Sequence, residues 1–404
     1  MAMRHEADRR TCVLIVGAGP VGLVAAARLE AFGIEAIVVE AEDAPGMDLR
    51  ASTFHPPTLD QLDELDLGAP LVAQGLIAPT WQVRWHETGA RAVFDLSILE
   101  GETRHPYRLQ CEQDRLVRLI GERLRRGRAV EILRGARLVA LVQDEGGCLA
   151  TVEMPSGPER IHAAFVIGAD GSRSTVRSQL DLAFEGDTYP ETTLLVVTRF
   201  RFEDHLEGLS HVNYCWREGS NFSLLRLRDC WRVNLYPDTD EAPEVGFAPG
   251  AVARKLNAIV PTATPYEILE SRPYRVHKRI VKTYRVGRVA LAGDAAHINS
   301  PAGGMGMNGG IHDAFELTAT LREIIRGGDL RLLDRYTRRR LPIAREDIIA
   351  QADANRARML ARDPEARGRA LGALQATTAN PKAMKAHLMR SAMLDGLRRA
   401  AAIA

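Results

Sequence analysis

One glycine cluster constrains this chain more than any other feature. A short apolar, β-branched run, Cys12-Val13-Leu14-Ile15-Val16, leads directly into Gly17-Ala18-Gly19-Pro20-Val21-Gly22, and Leu23 to Phe32 then reads as a helix. The run has the composition of a buried parallel strand. Gly17 suits a tight turn, Gly19 lets backbone approach a pyrophosphate, and Gly22 lets the helix pack close to the strand. The N–H groups at the helix start, with the helix dipole behind them, would hold the phosphates. A second apolar run, Ala36-Ile37-Val38-Val39, ends in Glu40, about 20 residues beyond Gly17. A carboxylate there binds a ribose 2′-hydroxyl and repels a 2′-phosphate. The pattern predicts an α/β nucleotide fold holding FAD or NAD rather than NADP. It also sets aside a secretory signal, which charged residues 4–10 and apolar residues 12–27 superficially resemble.

Composition narrows the class. Of 404 residues 46% are hydrophobic and 26% charged, which excludes a disordered or fibrous chain. A formal net charge of +1 leaves no global field for nucleic acid or an anionic membrane. The basic clusters Arg123–Arg128 and Arg338–Arg340 sit in helix-like stretches and read as solvated faces. No run reaches the length of a membrane span. The five scattered cysteines show neither a disulfide framework nor a metal-ligand rhythm, so no metal is expected, and a reducing, cytoplasmic compartment is.

Two later motifs follow strand-like runs. Ala163-Ala164-Phe165-Val166-Ile167 precedes Gly168-Ala169-Asp170-Gly171-Ser172-Arg173, and the strand Arg288 to Ala292 precedes Gly293-Asp294-Ala295-Ala296-His297. Pro301-Ala302-Gly303-Gly304-Met305-Gly306-Met307-Asn308 then opens an amphipathic helix. Asp294, at the carboxyl end of a strand, suits the hydroxyls of a ribitol chain. The glycine-rich helix start would stabilise a reduced flavin's negative charge.

In this order and setting the motifs, which span residues 13 to 317, resemble the single-component FAD-dependent aromatic hydroxylases of the p-hydroxybenzoate hydroxylase type. The resemblance implies a Rossmann-like FAD domain of the glutathione reductase type, with an inserted antiparallel-sheet substrate domain and a helical C-terminus. It implies that Gly17, Gly19, Pro20, Val21 and Gly22, with Glu40 and Ala41, hold the ADP half of FAD. Arg50 would contact the pyrophosphate, and Gln110 would lie near the ribitol. Asp170 would serve both FAD and NAD(P)H, and Gly293 and Asp294 would bind the ribitol. Pro301, Gly304, Gly306, Met307 and Asn308 would line the isoalloxazine. The implied reaction is a NAD(P)H- and O₂-dependent hydroxylation of an electron-rich aromatic or heteroaromatic small molecule through a flavin C4a-hydroperoxide. FAD would be resident and NAD(P)H transient. Rival readings are an epoxidase or hydroxylase of isoprenoid or quinone-like lipids and, from another class, a non-catalytic FAD-binding regulator.

The expected division is a discontinuous FAD domain over 10–80, 100–185 and 275–330, a substrate domain over 81–99 and 186–274, and a helical region over 331–404 broken by Pro342, Pro364 and Pro381. Alternation in 190–236 predicts antiparallel strands lining a pocket, with His211, Tyr214, Trp216, Arg226 and Tyr236 as pocket residues. Tyr214, Pro301 and His55 are the catalytic candidates. His55 on its Pro-flanked loop, or His297 in the third motif, would be the base that removes a phenolic proton. Met384, Leu388, Met389, Met393, Leu394 and Leu397 form an apolar stripe expected to dock on the flavin domain or on a second subunit of a homodimer.

Overall fold

The computed structural model describes residues 8–44, 51–236 and 243–404, so Arg50 lies outside the described residues. The elements that matter here run, in chain order, β1 (Asp8–Val16), α1 (Pro20–Phe32), β2 (Ala36–Glu40), β3 (Thr53–Phe54), β4 (Thr80–Trp85) and β5 (Arg91–Asp95). Next come β6 (Arg108–Gln110), β7 (Val130–Arg134), β8 (Gly157–Gly168), β9 (Glu185–Thr198) and β10 (Val212–Arg217). Then follow β11 (Ser220–Arg226), β12 (Trp231–Leu235), β13 (Ile268–Ile280) and β14 (Val289–Leu291). Helices α2 (Gly306–Ile325), α3 (Leu332–Ile343), α4 (Ala350–Leu360), α5 (Pro364–Ala379) and α6 (Pro381–Ser391) follow.

The first sheet places β14, β8, β1, β2 and β7 side by side, all parallel. In β1 the sequence divides into two halves. Val13 to Val16 are buried between neighbouring strands and helices, as a central parallel strand requires. The charged start lies nearer solvent, where Arg9 pairs with Glu131 and Glu159 at 2.8 and 2.7 Å. Helices α1 and α2 pack on this sheet and cross each other closely. A Cβ at Gly310 would stand 2.6 Å from the Val21 side chain and 2.9 Å from the Gly293 Cα.

The second sheet has the order β13-β9-β12-β11-β10-β4-β5, with His297–Ile298 added beyond β13. It is antiparallel except between β4 and β10, which run parallel with Val83 beside Tyr214. These two strands come from distant parts of the chain, so no hairpin forces them to be antiparallel. The side chains of alternate residues go to opposite faces, which separates two cores. Cys215, Leu224 and Val233 pack with Leu256 and Val260 on one face. Trp81, Phe94, Val212 and Trp216 pack on the other with Leu371, Leu374, Leu388 and Met389 of the C-terminal helices.

The apolar stripe turns mainly onto this second sheet rather than onto the first. Its Leu388, Met389 and Leu394 fill this second core, and Met393 packs with Met305, Ile348 and Ala352. Pro364 and Pro381 open α5 and α6, as proline at a first helical turn should. Pro342 behaves differently. It lies inside α3, and the chain continues through a π-helical turn over Ala344–Ile349 into α4. Proline removes one backbone donor, and the wider turn absorbs the disruption without ending the helix.

Candidate active site

The glycine turn is built by contact. Gly17 has φ +104°, and a Cβ there would lie 2.4 Å from the Ala169 carbonyl oxygen. A Cβ on Gly22 would lie 2.0 Å from the Gly17 carbonyl oxygen. These two glycines let β1, α1 and the Ala169–Asp170 turn touch. Gly19 differs, because a Cβ there would meet nothing within 4 Å. It faces open space at the start of α1, where Pro20 occupies the first turn and no side chain caps the helix. Glu40 closes the far side. Its carboxylate accepts from the Ala18 N–H at 2.7 Å and the Glu42 N–H at 3.0 Å, so it braces the turn and the bend that begins at Ala41.

The other two motifs meet this turn. Asp170 accepts from the Ser174 hydroxyl at 2.5 Å and the Val176 N–H at 3.0 Å, and burial raises its carboxyl's pKa against those bonds. Its side chain is thus committed to holding its own loop. Arg177 in turn donates to the Ala295 and Ser172 carbonyls at 3.0 and 2.8 Å, tying the second motif to the third. Gly293 and Ala295 are buried, whereas Asp294 between them is exposed at the end of β14. Gln110 is 1% exposed; its oxygen accepts from the Thr53 hydroxyl at 3.0 Å, and its amide nitrogen has no partner.

The Pro301 loop turns through Gly303 and Gly304, both at positive φ, with the Gly304 N–H bonded to the Pro301 carbonyl at 3.0 Å. Pro301 itself is exposed, and Gly306 begins α2 without a capping side chain. Asn308 clasps the loop. It donates to the Thr53 and Gly304 carbonyls at 2.8 and 2.7 Å and accepts from the His55 N–H at 2.9 Å. Met307 packs against the first core.

Both candidate bases are committed elsewhere. The His55 Nε2–H donates to the Gly303 carbonyl at 2.8 Å, and burial followed by the nearby Arg108 charge pushes its pKa down to about 3. His55 is therefore neutral near pH 7 and holds the loop. His297 points into the core rather than toward a ring site. Its Nε2 bonds the Asp313 carboxylate at 2.8 Å, and Arg340 bonds the other oxygen at 2.7 Å; all three side chains are 1% exposed or less.

Beside the Gly303 loop lies a pocket of about 440 Å³, its open mouth included. One wall carries Trp81 of β4, Arg108 of β6 and Tyr214 of β10. The other is formed by the C-terminal helices, with Asn355 and Arg358 of α4 and His387 of α6; Gly303 and Met305 form the floor. Arg108 lies beside the Tyr214 hydroxyl and stands 5.2 Å from the centre of the Trp81 ring. Tyr214 is the one member of the five expected pocket residues that lines this cavity. Trp216, two positions along the same face, is buried in the second core and donates its indole N–H to the Arg358 carbonyl at 3.2 Å. Arg226 pairs with Glu203 at 3.2 Å, and half-buried His211 lies beside that pair. Tyr236, beyond the end of β12, has its hydroxyl pKa raised by burial and then by neighbouring Tyr274 and Tyr214. Arg108, Arg358 and His387 carried no sequence motif. The nearest signal was the Arg-Leu-Gln run that contains Gln110.

A family of FAD binding domains matches residues 10–350, most of the chain. The chain belongs to the FAD-dependent aromatic monooxygenases. Among the relatives of this monooxygenase is a para-nitrophenol 4-monooxygenase from Pseudomonas sp. (strain WBC-3), 32% identical over 96% of both chains. Another is a 6-hydroxy-3-succinoylpyridine 3-monooxygenase from Pseudomonas putida, 35% identical over 78% of this chain and 80% of the relative. The crystal structure of a p-nitrophenol 4-monooxygenase from Pseudomonas putida DLL-E4 superposes with a TM-score of 0.89 at 29% identity, covering 96% of this chain and 98% of that one. The monooxygenase thus uses FAD, with NAD(P)H as reductant, on an aromatic substrate. Among the described residues no helix is long and apolar enough to cross a membrane.

The residues present fit the cofactor. Gly19 leaves space where a Cβ would otherwise fill the cradle, and Gln110 holds a buried nitrogen without a partner. Both α1 and α2 start with no capping side chain, and Asp294 stands out of a buried turn.

Proposed function

We propose that this monooxygenase hydroxylates a single-ring phenol or hydroxypyridine held in the pocket between Tyr214 and Arg358, with O₂ as co-substrate. The observation that carries this reading is the pocket's floor: Gly303 and Met305 belong to the loop that opens α2, so a ring lying there abuts the cradle. Two relatives are named for single-ring substrates, a nitrophenol and a hydroxypyridine. The flavin, when bound, supplies the redox chemistry, accepting a hydride from the nicotinamide and delivering one oxygen atom of O₂ to the ring.

The chain's residues do the rest. The backbone around Gly19 would hold the pyrophosphate, Glu40 the ribose, and Asp294 and Gln110 the ribitol. Asn308 and His55 fix the Gly303 loop, so the ring site keeps its shape. Trp81, Met305 and Met359 line the pocket with apolar surface and keep water from the reacting carbon. The discontinuous division into a cofactor part and a substrate part belongs to the same reading, and five free cysteines support a cytoplasmic setting. Lipid binding by the C-terminal helices would favour the isoprenoid alternative, but their apolar stripe is occupied by the chain's own sheet.

Purified protein should be yellow and should release FAD on denaturation. A screen of phenols, anthranilates and hydroxypyridines should reveal at least one that accelerates NAD(P)H oxidation and gains one oxygen by mass. A colourless preparation that cannot be reconstituted, or a screen in which no ring gains oxygen, overturns the reading.

A further inference from the structure

Three of the side chains lining the pocket, Trp81, Arg108 and Arg358, can only donate hydrogen bonds. Arg108 is 4% exposed, and its Nε has no partner; the Trp81 indole N–H is also buried without one. Among the described residues, the charged and titratable groups that face the cavity are Arg108 from β6, Arg358 from α4, His387 from α6 and Tyr214 from β10, with no Asp or Glu. Neither guanidinium pairs with a carboxylate among the described residues, and burial lowers the pKa of both. Their positions are fixed. Arg358 is anchored through its carbonyl by Trp216, and the next residue's carbonyl accepts from Asn221.

A buried guanidinium, Arg108, and a half-buried one, Arg358, without a counter-charge are costly unless an anion completes the site. The histidines do not supply one, nor a base. His387 is pushed down to about 4, by burial first and then by Arg358, Arg390 and Arg108. With His55 already near 3, neither imidazole draws a proton from a phenol at neutral pH.

We propose that this pocket takes its aromatic substrate as the anion, and that Arg108 and Arg358 recognise the charge in place of a deprotonating histidine. The O–H bond breaks in solvent, the proton stays with water, and the electron pair remains on the ring oxygen that meets the guanidiniums. Electron density needed for attack on an electrophilic oxygen is therefore present on arrival. The inference rests on the cavity being the ring site.

4-Nitrophenol and its uncharged counterpart nitrobenzene test it, by equilibrium dialysis against the FAD-loaded protein across a range of pH. The ionised probe should bind about tenfold or more tightly than its neutral form. Its affinity should fall as the pH drops through the value at which it protonates in water, and nitrobenzene should bind as weakly as the neutral form. Arg358→Met should abolish the preference, and Arg358→Lys should keep most of it, with FAD retention reporting that both variants are folded. Equal affinity for the two compounds, or a preference unchanged in Arg358→Met, overturns the proposal and leaves the cavity as the ring site. If neither compound binds, the proposal and the ring-site reading fall together.

Discussion

Gly19 and Gly22 stand three residues apart and answer to different constraints. A methyl group on Gly22 has the Gly17 carbonyl 2.0 Å away, so Gly22→Ala should force α1 off β1 and destabilise the FAD-free protein by about 1–3 kcal/mol, read as a lower melting temperature. A methyl group on Gly19 touches no protein atom. Gly19→Ala should therefore melt like the parent yet hold FAD more weakly, measured by release on dilution; parental retention would remove Gly19 from the pyrophosphate site. At Asp313 burial would raise the carboxyl's pKa, but Arg340 and His297 hold it below its ordinary value. A folded-state value below the unfolded one adds stability that is complete above about pH 4 and is lost as the pH falls through the folded value. Asp313→Asn should cost about 3–5 kcal/mol in urea unfolding at pH 7, because it leaves a buried guanidinium uncompensated, and the gap from the parent should narrow in acid. Imidazole NMR offers a third check. The His55 and His387 rings, lowered to about 3 and 4, should show no titration between pH 5.5 and 8.

At the scale of elements, α6 joins the second core through Leu388, which is fully buried. Leu388→Ala should cost about 2–5 kcal/mol and weaken binding of a ring compound more than binding of FAD. Equal losses for both ligands would mean that α6 supports the whole molecule rather than the pocket. The contrast between the cradle and the pocket also explains what could be read from the amino-acid sequence. Gly17, Gly19, Gly22 and Glu40 lie within one strand–turn–helix–strand unit, and their constraints are local. Alternation in 190–236 foretold strands for the same reason. Arg108, Arg358 and His387 converge from positions some 250 residues apart, and no spacing rule connects them. His55 and His297 illustrate the opposite error. Both fell in the right segments, but their partners, the Gly303 carbonyl and the Asp313 carboxylate, come from distant turns that the local pattern did not name.

Across the whole molecule, the proposed cradle draws on the β1–α1 turn, β6, and the β14 and α2 segments, so bound FAD would tie together stretches nearly 300 residues apart. Binding only to the folded state should stabilise it by about 2.7 kcal/mol when FAD is present at a hundred times its dissociation constant. Asp294→Ala should have the parent's melting temperature without FAD and a smaller rise with it; an equal rise would take Asp294 out of the ribitol site. The helical wall of the pocket obeys a separate logic. Beyond Pro342 the chain passes through its π-helical turn into α4, and that helix is pinned to the sheet at Arg358 and Met359. A slip of α4 by one residue would rotate it by about 100°, bringing a methionine or an alanine to the spot now held by a guanidinium. Such a chain could exchange one guest for another by re-indexing a single helix, while the machinery that handles electrons and oxygen went on unaltered.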